Sequence, residues 1–333
     1  ALGLIMRNYK FDNIKGILIL LVVFAHFIEG ISSTEYVYKF IYIFHMPLFI
    51  FVSGYFGKFD KKKLILHLVY PYIVFQLLDL CFDAIFISHK DIHLQMTKPW
   101  WILWYLFAMI IYHLLIPVLQ SKNPLYCGCV LAGSVVAAVI AGYNKDIGYF
   151  MALSRTIAFA PYFIAGYYCG QSYRLKQLLN RATSLPVYFK LLGVAAFAAV
   201  GYGIYRHPLA DKILYRSYGY EAAHYRPDIR LALYICATMM IYAFIVFVSN
   251  QKMVWLSTLG RYTLPVFIFH AFVVKYIKHV WSLEAGDWTI PVALVLTLLT
   301  ALVFGNRYCA KYTKFLLSGD WIENLVYHKA REN

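Results

Sequence analysis

The chain has 333 residues, 62% of them hydrophobic and 14% charged, with a formal net charge of +15. An ordinary globular domain is roughly 45–50% apolar and about 25% charged, so this balance excludes a water-soluble fold around a single core and points to lipid as the solvent. The positive charge does not indicate nucleic acid, because the bases lie mostly in short segments between apolar runs, where they act as orientation signals and as a candidate anion site.

The chain opens basic and then apolar, in the manner of a signal peptide. It lacks a small-residue cleavage site and more apolar runs come after, so the first run reads as a retained helix. Runs long enough to cross a bilayer, about 17–25 residues each, place helices near Ile14–Gly30, Tyr36–Gly57, Leu64–Ile87, Trp100–Gln120, Leu125–Gly142, Tyr149–Gly170, Pro186–Tyr205, Arg230–Ser249, Leu264–Val280 and Ile290–Gly305. The prediction is an all-α integral membrane protein, a bundle of about ten transmembrane helices over residues 1–315. The tail, 316–333, is mixed polar and apolar and reads as an interfacial helix.

Alternate loops differ in charge. One set carries Arg7, Lys10, Lys58, Lys61, Lys62, Lys63, Lys122, Arg174, Lys176, Arg181, Lys252, Arg261, Arg307, Lys311 and Lys314, whereas the other is poorer in bases and includes the longest loop, His207–Ile229. The positive-inside rule makes the first set cytoplasmic, and with an even number of helices both termini lie on that side too. Trp100, Trp101, Trp281 and Trp288 then fall at the outer boundaries, as interfacial aromatics. The six cysteines form no CxxC and no Cys/His ligand spacing, so neither a disulfide framework nor a metal site is expected.

Ionisable residues inside a membrane span are expensive and point to function. Lys15 and His26 lie eleven residues apart in the first helix. At about 100° per residue they return to nearly one face, with a rise of about 16 Å. Glu29, three residues beyond His26, can turn to the same side and fix the ring's tautomer, and a histidine in mid-membrane can act as general base near neutral pH. His45 in the second helix can face His26 across the bundle, and His270 is buried in a later helix. Asp79 and Asp83, four apart on one face, either line a cavity or pair with Arg155. Lys58, Lys61, Lys62, Arg174 and Arg261 can together hold phosphates. No Walker A, GxSxG, HEXXH or Rossmann glycine pattern occurs.

These residues carry a family resemblance. DNIKGILILLVVFAHF resembles the first-helix signature of the acyltransferase 3 family, a basic residue and a histidine separated by ten positions, here Lys15 and His26. FHMPLFIFVSGYFGK is similar to that family's second helix. WWILWYLFAMIIYHLLIP around Trp104, RTIAFAPYFIAGYYCG from Arg155 and LGRYTLPVFIFHAF ending near His270 come in the family's order, with the closest likeness to its fucose 4-O-acetylase-like branch. The family's basic motif after the second helix is replaced here by Lys58 and Lys61–Lys63.

The resemblance implies transfer of an acetyl group from cytoplasmic acetyl-CoA to a hydroxyl of a cell-surface or exported polysaccharide. His26, Glu29 and His45 are then the catalytic candidates, with His26 acting as base or as transient acyl carrier. Lys15, Lys58, Lys61, Lys62, Arg174 and Arg261 are the candidates for the donor, and Asp79, Trp104, Arg155 and His270 for the acceptor. Expected partners are acyl-CoA, a surface glycan and the lipid bilayer, with no nucleic acid; a homo-oligomer is compatible with this reading. The expected place is the bacterial cytoplasmic membrane. The alternative is a transporter or flippase that uses the buried histidines and acids as an ion relay.

Overall fold

The computed structural model describes residues 9–87, 96–144, 147–148, 150–281 and 286–323. It is an all-α membrane protein, with no strand among the described residues. In chain order the helices are α1 (Lys10–Ile28), α2 (Glu35–Tyr55), α3 (Lys61–Leu64), α4 (Tyr70–Phe82), α5 (Trp104–Leu119), α6 (Pro124–Ile140), α7 (Leu153–Gln171) and α8 (Tyr173–Arg181). They continue with α9 (Val187–Arg206), α10 (Asp211–Tyr215), α11 (Pro227–Phe247), α12 (Val254–Arg261), α13 (Thr263–Val280), α14 (Thr289–Phe304), α15 (Arg307–Tyr312) and α16 (Lys314–Leu317). A π-helical turn, Ile65–Val69, joins α3 to α4, and a second, Asp83–Ile87, extends α4.

All ten expected segments are helical where described. Eight are long and apolar enough to cross a membrane, among them Lys10–Ile28, Ser32–Tyr55 and the composite Lys61–Ile87. Two stand apart for physical reasons. α14 is apolar but only 16 residues long, and α7, with 19 residues, carries Ser154, Arg155 and Thr156 in its first turn.

α1 lies at the centre. Fifteen of its nineteen residues are buried, against one, Ala138, in the peripheral α6. α6 is apolar all round without a protein partner on most faces, the pattern of a lipid-facing span. The bundle has two distinct ends. At the first, Lys10 donates to the carbonyls of Leu179 and Ile245 at 2.7 and 2.8 Å. At the second, Tyr36 donates to Gly201 at 2.8 Å, and the segment 207–226 caps the helices.

Small residues set the closest helix approach. Gly54 of α2 and Gly166 and Gly170 of α7 face each other so tightly that a methyl group at Gly166 would overlap the Phe51 carbonyl, and one at Gly54 the Phe163 carbonyl. The Gly-x-x-x-Gly spacing of α7 suits a medium in which packing and not apolar burial drives helix association. That seam carries Arg155 and His45 on the two helices it joins.

Candidate active site

The site begins at the end of α1. The helix stops at Ile28; Glu29 is its C-cap with φ −59° and ψ 126°, and Gly30 comes next at φ 84°. Glycine fits this left-handed position, which closes the helix and turns Glu29 back toward the last turn. His26 Nδ1 lies 3.3 Å from Glu29 Oε2 and 3.4 Å from the Tyr42 hydroxyl. With Glu29 ionised, Nδ1 carries the proton and donates, which leaves the lone pair on Nε2.

Glu29 is itself held. Its Oε1 lies 3.2 Å from the hydroxyls of both Tyr38 and Tyr215, which are 3.0 Å from each other. Burial raises the Tyr215 phenol above its ordinary range, and the charge of Glu29 adds to this, so Tyr215 stays a donor. Lys278 donates to the Glu29 carbonyl at 3.0 Å.

A cavity of about 260 Å³ opens beside His26. Its wall includes His26, Glu29, Tyr42, His45, Trp101, Trp104, Arg155, Tyr215 and Ser217 from five separate parts of the chain. The wall is ordered by depth. Toward the end capped by 207–226 stand Glu29, Arg155, Tyr215 and Ser217, with Ala152 and Leu214 beside them; one turn the other way stand Val22 of α1, Met46 of α2, Phe159 of α7 and Phe267 of α13. His26 and His45 sit where the polar and apolar parts meet. Other rings pack around them: His26 lies 5.4 Å from His270, nearly parallel, and 4.6 Å from Trp101, while His45 is 4.7 Å from Tyr42. His45 and His270 each donate from Nδ1 to the carbonyl one turn back, of Ile41 at 2.9 Å and Val266 at 3.0 Å, so each keeps its lone pair on Nε2. Arg155 donates from Nε to the Ser217 hydroxyl, and its guanidinium covers Trp104 at 5.2 Å and Tyr215 at 5.9 Å.

The remaining expected residues lie elsewhere. Lys15 is outside the cavity wall, which ends along α1 at Val22. It pairs with Asp12 at 3.1 Å, and Arg261 approaches the same carboxylate at 3.7 Å. Lys58, Lys61 and Arg174 are exposed. Lys62 is engaged by Glu323 at 2.5 Å. The start of the tail folds back here: His67 meets Asp320 at 2.9 Å, and Gly319 donates to the Leu66 carbonyl. Residues 324–333 lie outside the described residues.

One expectation is corrected. Asp79 and Asp83 do not pair with Arg155 but share Lys275 of α13, at 2.6 and 3.2 Å. α13 packs against the end of α4, whereas Arg155 lies across the cavity on α7, so the charge nearest in space is not the one the sequence suggests. Trp101 forms cavity wall, and Trp100 covers the Lys275 ammonium at 4.9 Å. Trp281 and Trp288 are exposed, at 52% and 78%. Sequence reasoning does not single out Tyr38, Tyr42, Tyr215, Ser217 or Lys278. Tyr215 and Ser217 sit in the longest loop, a place where function concentrates, and that is the available signal.

Among known proteins, a family model described as acyltransferase domain matches residues 8–305. The nodulation protein NolL of Sinorhizobium fredii is 45% identical over 56 residues, 15% of this chain and 15% of that protein, so the chain matches well under two thirds of this relative's length. No solved structure matches.

Proposed function

The chain belongs to the acyltransferase domain family, and from that premise we propose that it is a membrane acyltransferase that moves an acetyl group from cytoplasmic acetyl-CoA to a hydroxyl of a surface or exported polysaccharide. The observation that carries this reading is the His26–Glu29 pair, Nδ1 to Oε2 at 3.3 Å, in the wall of a cavity whose one side is polar and aromatic and whose other side is apolar. The polar side suits an acceptor sugar. The apolar side, toward Lys15 and Arg261, suits the arm of a thioester donor whose phosphates rest on the bases at that end. Lys15 and Arg261 share one carboxylate, so positive charge is in excess where a phosphate would bind.

The chemistry stems from the tautomer. Glu29 holds the Nδ1 proton, so Nε2 of His26 takes the proton of the acceptor hydroxyl as its oxygen attacks the thioester carbonyl. The carbon–sulfur bond breaks, and the proton held on His26 passes to the departing thiolate. The products are an O-acetyl ester and a free thiol. In a second order of events the imidazole carries the acetyl group itself before the hydroxyl accepts it. His45 stands at the same depth and is the reserve base.

The test is mass spectrometry of surface glycans from cells with the gene, without it, and with His26→Ala. O-acetyl groups should be present only with the wild-type gene. Loss of a general base lowers the rate about 10²–10⁴-fold, and a His26→Ala protein that acetylates at the wild-type rate would sink the assignment.

A further inference from the structure

We propose that Tyr215 is a positioning residue for acyl transfer, held by the left-handed residue Arg216 so that it locks Glu29 against His26. This inference rests on the reading of His26 and Glu29 as the reacting pair. Each phenol has one proton to give. Tyr215 gives its proton to Glu29 Oε1, and Tyr38 divides its own between Glu29 and Tyr215, from 3.2 and 3.0 Å. Glu29 Oε2 is thereby left facing His26. A carboxylate fastened at one oxygen cannot swing, and a fixed carboxylate fixes the imidazole's tautomer and plane.

Tyr215 comes from no spanning helix. It is the last residue of α10, and its placement depends on the residue after it. Arg216 has φ 55°, a left-handed conformation that is strained for a residue with a Cβ. The surroundings compensate for this strain. Arg216 is 3% exposed, and its guanidinium covers Phe159 and Tyr234, each at 4.8 Å, and Tyr162 at 5.6 Å. Its carbonyl accepts from the Ser154 hydroxyl at 2.8 Å. The sharp turn makes three consecutive side chains diverge. Tyr215 reaches Glu29, Arg216 enters the aromatic box of α7 and α11, and Ser217 reaches Arg155. Tyr215 and Ser217 line the cavity, and Arg216 does not. Strain retained beside a site and over-determined by its neighbours marks a positioning element.

The experiment uses full-length protein in nanodiscs with acetyl-CoA as probe and water as acceptor, read as free thiol. Tyr215→Phe keeps the ring and removes only the donor. Expected is a kcat fall of about 10–100-fold, less than loss of the base itself, with the KM for acetyl-CoA unchanged. On a Glu29→Gln background the same substitution should add nothing, since both act through one carboxylate. Arg216→Gly, which keeps the turn and removes the anchor, should lower kcat in the same way. Unchanged kcat in Tyr215→Phe, or an equal further loss on the Glu29→Gln background, overturns the inference while leaving the acyl-transfer reading intact. Wild-type protein that releases no thiol from acetyl-CoA instead refutes the donor reading and the positioning role with it.

Discussion

Asp79 and Asp83 show how a buried charge is decided by its neighbours. Two carboxylates four residues apart on one helix face repel, and one ammonium, Lys275 at 2.6 and 3.2 Å, compensates for both, with Trp100 closing over it. Lys275 and Asp79 are largely out of solvent, with side chains 17% and 8% exposed. Removing one partner of such a group destabilises by about 3–5 kcal/mol. Lys275→Met should therefore lower the melting temperature of the purified protein by several degrees, and Asp79→Asn together with Asp83→Asn in that background should restore part of the loss. The same substitutions separate this group from the chemistry. The sequence makes Asp79 a candidate for holding the acceptor, yet it lies outside the cavity wall. If it is structural, Asp79→Asn reduces stability and leaves the KM for the acceptor unchanged; a raised KM at wild-type stability would return it to the site.

At the scale of elements, two packings are open to test. The first is the α2–α7 seam. Gly166 meets the Phe51 backbone directly, so any larger side chain must push α7, with Arg155 and the anchor for Arg216, away from α2. Gly166→Leu should lose both folded yield and activity, whereas the same change at Gly133, with nothing near its missing side chain, should lose neither; expression and thiol release would record both. The second is the return of the tail onto the π-helical turn. The Lys314 ammonium and the Ser318 hydroxyl outweigh partial burial and hold the Asp320 carboxyl below its ordinary range, with His67 alongside. A lowered carboxyl contributes stability above its ordinary range and loses it as pH falls through the lowered one. The contacts are exposed, so the gain is a few tenths of a kcal/mol at most. Protection over 314–323, measured against the intrinsic exchange rate at each pH, should fall at pH 3 relative to pH 7, and protection indifferent to pH would show that the ion pairs do not hold the segment.

For the whole molecule, the arrangement of the two ends makes a topological prediction. Cysteines placed at 62 and 218 should label from opposite faces of the membrane, 62 from the cytoplasm. Labelling of both from one face would end the proposed direction of transfer. The fold class and helix positions are legible in the sequence because solvent preference and periodicity are properties of neighbouring residues. The His26–Glu29 contact is legible for the same reason, since three residues along one helix end lie within reach of one another. Glu29 and Tyr215 are 186 residues apart, and no local rule joins them. Nor does one assign Lys275 to Asp79, bring Trp101 into the cavity wall, or separate Lys15 from the cavity that its spacing points toward. Those outcomes depend on which helix faces meet and how closely, and at close approach that is set by a few glycines and one left-handed turn. Local sequence thus dictates which segments become helices and which ionisable residues they carry. Packing dictates which of those residues share a cavity, because burial makes each charge depend on the partners brought to it from distant parts of the chain.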